Sequence, residues 1–488
     1  MQDPALASLR PPSTRPRPVL LALAVAATGF ACTQKGPLSD EEMEQLRAFM
    51  LPAGPPDDPS NAFADNPAAI ALGKKLYFET RYAGALLAPY NATDANDNPA
   101  NGALGPAGQT GLVGCASCHD PATGGADSRS RPNETSLGAS YTLRNAPTVI
   151  NAAYSPAWQF WDGRADSLWS QALQPPEGSA ECAGSRLKVV HVLYDNYKTE
   201  FRDLFGAESL PDSVASLPDN GMPGKNRPPL PMCTADDPTE PFNDAYDCLP
   251  TDDDRRLVNR AYANFGKAIA AYERQLVSNN FDPSPFDRFM AGDEEAMEPA
   301  AIRGARLFIG YAGCAECHRG PMFTDYAFHN IGVPQTGQYV PATDTGRFDG
   351  IGKLTTTDPN VVKFDRSSEF SDQHDTTYLL TLGATAPDSA TGQFKTPTLR
   401  NVSKTAPYMH DGAYQTLWDV VNHYNFGGAT GNYSGERDPV IAPLMLTSAE
   451  LGDLVEFLEA LADGALSPSV DPTLLTDPDA GVRAARAR

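Results

Sequence analysis

Apolar and polar positions along this chain predict helices separated by long irregular stretches. Leu451, Leu454, Val455 and Leu458 recur at helical spacing behind a capping box of Thr447 and Glu450. Leu417, Val420, Val421 and Tyr424 share one face of another helix, with His423 turned off that face. Val189, Val190, Leu193 and Tyr194 mark a third, in which His191 reads as a packing or surface residue. The clearest pattern is a repeat: Pro67-Ala68-Ala69-Ile70 followed by Gly73-Lys74-Lys75-Leu76 returns as Pro299-Ala300-Ala301-Ile302 followed by Gly304-Ala305-Arg306-Leu307. Each run opens a helix, so the chain carries two copies of one structural unit, with a boundary near residues 294–298. Between Phe78 and Cys115 the first copy has a Gly, Ala, Asn and Pro-rich insertion that reads as a surface loop.

The termini read differently. An apolar run from Val19 to Ala31, preceded by Arg10, Arg15 and Arg17, is too short to span a bilayer and has the order of a signal-peptide core. Cys32 ends it, and its acylation would tether an exported, periplasmic protein to a membrane. An ordinary signal peptide cut nearby, with Cys32 incidental, is the alternative. The expected organisation is a signal segment over 1–32, a linker over 33–60 with one helix announced by Ser39 and Glu42, units over 61–295 and 296–465, and a disordered tail over 466–488.

Charge narrows the function. A net charge of −23 over 488 residues excludes a nucleic-acid partner, which needs an excess of Lys and Arg, while permitting a basic protein partner. In the Pro- and Asp-rich middle, Cys233 and Cys248 are candidates for a disulfide, with Cys182 a competing partner or a free thiol.

Each repeat leads to a Cys-x-x-Cys-His: Cys115-Ala116-Ser117-Cys118-His119 and Cys314-Ala315-Glu316-Cys317-His318. Two thiols and an adjacent imidazole suit covalent c-type haem attachment, with His119 and His318 as iron ligands. A thioredoxin-type pair would need a βαβ context, and a zinc site a second ligand pair; neither is near these motifs. The expected fold is therefore mainly α, with two cytochrome c-like haem domains packed against each other and long loops.

Four further segments carry a resemblance. Arg144-Asn145-Ala146-Pro147-Thr148-Val149-Ile150-Asn151, Phe160-Trp161-Asp162-Gly163-Arg164-Ala165, Phe394-Lys395-Thr396-Pro397-Thr398-Leu399-Arg400-Asn401-Val402 and Thr405-Ala406-Pro407-Tyr408-Met409-His410-Asp411-Gly412 resemble the signature segments of the bacterial di-haem cytochrome c peroxidase and MauG family. The resemblance implies hydrogen peroxide as oxidant, reacting on the N-terminal haem side. Electrons would come from a small exported redox protein, a cytochrome c or cupredoxin, or from a protein substrate. It also implies an inter-haem relay at Trp161, and Gln171, Pro175 and Glu181 on the peroxide side. A Glu there would move the proton of peroxide, with Glu177 as its local rival. Ser136 to Arg144, where many members carry a His that caps the first iron, contains none, which implies a site open already in the diferric state. A di-haem electron carrier without catalysis is the competing function.

The same resemblance offers Met409, His410, His423 and Tyr424 as far ligands for the second iron. It places Tyr424 where many members have Met, and the apolar helix face agrees. A tyrosinate favours oxidised iron, whereas Met raises the potential. Where MauG has a surface Trp before its second attachment motif, this chain has Ala312, with Tyr311 beside it. Asn145, Thr405 and Pro407 match positions that bind Ca²⁺, with turn packing as the alternative. Arg164 and Arg400 are candidates for pairing with haem propionates, or for an ion pair between domains. His329 and His374 receive no role.

Overall fold

The computed structural model describes residues 38–91, 93, 102–223, 246, 249–357 and 361–481. The signal segment with Cys32, and both Cys233 and Cys248, lie outside the described residues. Helices of two turns or more are α1 Asp40–Arg47, α2 Pro67–Tyr77, α3 Arg186–Phe205, α4 Asp252–Glu273, α5 Pro299–Ile309, α6 Arg347–Thr355, α7 Leu417–Asn425 and α8 Ser448–Glu459. Two strands of two residues, β1 Phe328–His329 and β2 Phe394–Lys395, pair antiparallel. The fold is mainly helical, as the periodicity requires.

Local chemistry sets the helix ends. Asn66 accepts hydrogen bonds from the Ala68 and Ala69 amides ahead of Pro67, which loses nothing at a helix start. Thr251 caps α4, and Asp252, Asp253 and Asp254 put negative charge on the positive end of its dipole. Thr416 with Asp419, and Thr447 with Glu450, close reciprocal boxes on α7 and α8.

The repeat is visible as a repeated helix crossing, α2 against α4 and α5 against α8. The glycine shared by the two sequence copies explains the closeness. A Cβ on Gly73 would collide with the Ala268 carbonyl of α4, and one on Gly304 with the Asp453 carbonyl of α8. Two apolar cores grow around these crossings: one includes Leu72, Leu76, Leu187, Val190, Phe201, Phe265 and Ile269; the other includes Ala305, Phe308, Phe323, Val421, Leu454 and Phe457.

The termini correct two expectations. Residues 38–60 are more than a linker: Leu46 and Phe49 are buried in the second core, Arg306 reaches Glu42 at 2.6 Å, and Phe49 rings stack on Phe323 with centroids 4.7 Å apart. The tail is ordered through residue 481 rather than disordered. Leu474 is buried in the first core, and the Tyr272 hydroxyl donates to its carbonyl at 2.7 Å. Both segments lack long periodicity, and one or two apolar anchors in each suffice to hold them. The N-terminal segment thus packs on the later core and the C-terminal tail on the earlier one.

Candidate functional site

Cys115 to Cys118 form a single helical turn, and His119 follows with its backbone carbonyl accepting from the Tyr77 hydroxyl at 2.5 Å. Nδ1 of His119 lies 2.9 Å from the Pro147 carbonyl, so Nδ1 carries the proton and Nε2 is left as a lone-pair donor. The second motif repeats this arrangement, with Nδ1 of His318 2.9 Å from the Phe323 carbonyl. Burial holds both imidazoles below their ordinary pKa, which keeps them neutral as a metal ligand must be. Burial also pushes Cys115, Cys118 and Cys314 up to about 12, so they are thiols. Two thiols and an oriented imidazole in each half are the donor set that c-type haem needs.

A cavity of about 780 Å³ opens beside the first motif, bordered by Cys115, Cys118 and His119. Trp161, Gln171, Pro175 and Glu181 line the same cavity, so residues spread over more than sixty positions meet at one place. Among its described lining residues, His119 carries the only imidazole. Each is held by a local device. Gln171 ends the turn Leu168–Gln171, which Ser167 caps, and Pro175 sits in the turn Gln174–Glu177. The Glu181 amide donates to the Gly178 carbonyl at 3.1 Å, and its own carbonyl accepts from the Ala139 amide at 2.7 Å. Gly178 lies against the Glu181 carboxylate, so a side chain on it would push that carboxylate aside. Burial raises the Glu181 pKa; Arg164 and Lys353 act in the opposite direction.

Glu177 borders the cavity too, but its carboxylate is bound by Arg186, with Nε to Oε1 at 2.7 Å and Nη2 to Oε2 at 2.8 Å. Glu181 has no such cation locked onto it. The Trp161 indole N–H donates to the Asn145 carbonyl at 2.9 Å, and its ring meets His410 edge-on at 6.5 Å. Behind it Arg144 pairs with Asp162 and Asp344, each at 2.7 Å. Burial of Asp162 is outweighed by Arg164 and Arg144, which hold its carboxyl down to about 2. The sequence reading missed the Arg144 pairs and Gly178; an Arg directly before Asn145 in a signature segment was the available signal.

The candidates around the second motif separate. His423 has both nitrogens engaged, Nδ1 with the Tyr414 hydroxyl and Nε2 with the Ile331 carbonyl, each at 2.9 Å. His410 is buried, stacks on Phe394 with centroids 3.7 Å apart, and has Nε2 2.8 Å from the Gln335 amide. Burial raises the pKa of the Tyr424 hydroxyl, which lies near Cys314 and Cys317. Ala312 is buried, whereas Tyr311 is exposed and donates to the Leu444 carbonyl at 3.0 Å.

The remaining candidates scatter. Arg164 borders the cavity, donating to Gln174 at 2.8 Å and Asp162 at 3.1 Å. Arg400 faces elsewhere: Asp287, the Pro321 carbonyl and the Phe49 carbonyl occupy its guanidinium. The Asn145 amide meets Pro407 through its nitrogen, which donates to the Pro407 carbonyl at 2.7 Å, and Thr405 donates to Val402. Cys182 is buried and free. His191 packs with Nε2 on the Leu217 and Pro218 carbonyls. His329 lies between Asp325 and Asp438 beside Cys317, a cluster the sequence did not announce.

Comparison with known proteins agrees with this geometry. Residues 67–217 and 233–295 match the family described as di-haem cytochrome c peroxidase. The chain is 32% identical to the cytochrome-c peroxidase IdrP1 of Denitromonas iodatirespirans over 91% of its own length and 93% of that protein. It is 30% identical to the methylamine utilization protein MauG of Methylorubrum extorquens over 91% and 95%. The fold is shared with the crystal structure of the diheme peroxidase BthA of Burkholderia thailandensis, at a TM-score of 0.54 and 21% identity, covering 88% of this chain and 98% of that one. On sequence, on fold and on the residues that meet in its cavity, the chain belongs to the di-haem cytochrome c peroxidase and MauG family of oxidoreductases.

Proposed function

We propose that the chain reduces hydrogen peroxide in the cavity beside His119, with electrons relayed from the half that carries His318. In this reading each half is a cytochrome c-like unit holding one c-type haem, through Cys115, Cys118 and His119 or Cys314, Cys317 and His318. The bound haem iron supplies a Lewis-acidic, redox-active centre. The chain does the rest. Glu181 takes the proton from the inner oxygen of peroxide and returns it to the outer one, which leaves as water. Burial raises its pKa above the ordinary carboxylate value, the direction that helps a carboxylate take up a proton. Gln171 offers an amide to the oxidant, Pro175 closes the wall without adding a donor, and Trp161 couples the cavity to the second half. Tyr424 would complete the ligand set of the second iron.

Glu181 carries this reading: it borders the same cavity as His119, while Glu177 is spoken for by Arg186. The partner is a small redox protein with a basic face, suited to a chain of net charge −23, or a protein substrate oxidised in its place. The tyrosine beside Cys314 and Cys317 favours the second of these, since it stabilises oxidised iron. The test is the resting spectrum of the ferric holoprotein. One high-spin and one low-spin haem are expected; two low-spin haems mean that the first iron has no free face and end the proposal.

A further inference from the structure

Tyr141 on the cavity wall is joined by Tyr339 and Tyr90 in a cluster that the peroxide reaction does not use. Tyr141 lines the cavity and its ring lies on that of Tyr339, with centroids 3.7 Å apart and planes 10° from parallel. Tyr90 closes the group edge-on, 5.6 Å from Tyr141 and 5.4 Å from Tyr339. The stack joins segments almost two hundred residues apart, beside the contact of Thr336 with Asn133 at 3.2 Å. The Tyr141 hydroxyl donates to Oε2 of Glu134 at 3.3 Å. Leu143, next along the wall, is 67% exposed, so the group sits where the cavity meets solvent.

Each part of this arrangement is what one-electron oxidation of a phenol requires. A neutral phenol gives up an electron readily only when its proton can leave at the same time, and Glu134 is the acceptor. Burial and Glu134 push the Tyr141 pKa up to about 12, so it holds its proton until then. A cofacial neighbour spreads the resulting charge over two rings. We infer that Tyr141 and Tyr339 form an outlet through which an oxidising equivalent leaves the cavity for the surface when no external donor is present.

The balance is as follows. Hydrogen peroxide takes up two electrons and two protons and becomes two waters. Tyr141 and Tyr339 each lose one electron and their phenolic proton, the first proton passing to Glu134. Two such radicals in contact join ring carbon to ring carbon, and the ring protons displaced return the phenols, so that one peroxide yields one dityrosine.

This inference rests on the peroxide reading of the cavity, and the experiment separates the two. The holoprotein is mixed with hydrogen peroxide without a donor, and peroxide consumption, the tyrosyl signal by freeze-quench electron paramagnetic resonance and the 141–339 cross-link by mass spectrometry are followed together. A tyrosyl signal and the cross-link are expected. Both should be lost in Tyr141→Phe, which keeps the ring stack, should fall in Glu134→Gln, and should persist in Tyr90→Phe. Consumption of peroxide with no tyrosyl signal, or with a signal that survives Tyr141→Phe, overturns the outlet alone. No consumption at all overturns the reading of the cavity and the outlet with it.

Discussion

The two halves of the molecule share an attachment unit and differ in what surrounds it. Each has a helix pair crossing at a glycine, a Cys-x-x-Cys-His, and a histidine whose Nδ1 donates to a backbone carbonyl 2.9 Å away. Around His119 the chain leaves about 780 Å³ of space edged by a carboxyl, an amide and an indole. Around Cys314 and Cys317 it brings a tyrosine hydroxyl into range instead. In the proposed reading, the same scaffold serves an iron that must meet a small molecule and one that must exchange electrons. The difference lies in residues outside the shared attachment unit, Glu181 after a turn and Tyr424 late on a capped helix.

The comparison is broken most strongly at those two residues. Glu181→Gln should slow the peroxide reaction by roughly 10²–10⁴-fold with both haems retained, as stopped-flow measurement would show. Tyr424→Met should leave peroxide binding in place and raise the reduction potential of the second haem in a spectroelectrochemical titration. An unchanged potential would remove Tyr424 from the iron.

The shared scaffold is tested next. Gly73→Ala and Gly304→Ala both force a methyl into a backbone carbonyl of the facing helix. Each should cost about 3 kcal/mol, the upper end for overpacking, and the two should be similar in chemical denaturation. An unequal effect is expected at the termini. Leu46→Ala removes a fully buried side chain from the second core and should cost about 3 kcal/mol, while Leu474→Ala, at the edge of the first, should cost about 2 kcal/mol. If neither lowers stability, the crossed packing of the two ends is not part of the fold.

The helices and both attachment motifs were legible because they are written locally, in caps, periodicity and spacing. The glycine crossing was legible too, as a repeated Gly in matched positions, although its reason appears only when α4 and α8 lie across it. The termini were not legible. Phe49 opens a short Phe-Met-Leu run and Leu474 belongs to a Leu pair, and neither neighbourhood is long enough to carry a period that assigns it to a core. Glu181 was ranked above Glu177 by resemblance alone; the physical ground, Arg186 on a helix binding the Glu177 carboxylate, is visible only in the structure. For Arg400 the ion-pair alternative is the one the structure contains, with Asp287, 113 positions away, as its partner.

One position breaks the repeat inside the scaffold itself. Ala268 faces Gly73, and five residues later on α4 stands Glu273; Asp453 faces Gly304, and five residues later on α8 stands Leu458. Both are buried, but Glu273 is a carboxyl with Oε2 unpaired, at the wall of the cavity. Burial lifts its pKa from the ordinary 4.5 to about 8. Below pH 4.5 the carboxyl is neutral whether the chain is folded or not, and its contribution to stability is at its fullest. Between pH 4.5 and 8 the unfolded chain ionises first and stability is lost; above 8 the loss is complete. Because one oxygen borders the cavity, the loss should be about 1–2 kcal/mol, less than the shift alone would give. Glu273→Gln and Glu273→Leu should therefore match the native chain near pH 4.5 and melt at higher temperature near pH 9. Equal melting at pH 9 would mean that the carboxyl finds a partner once the cavity is filled, and that its place in the first half is chosen for that partner.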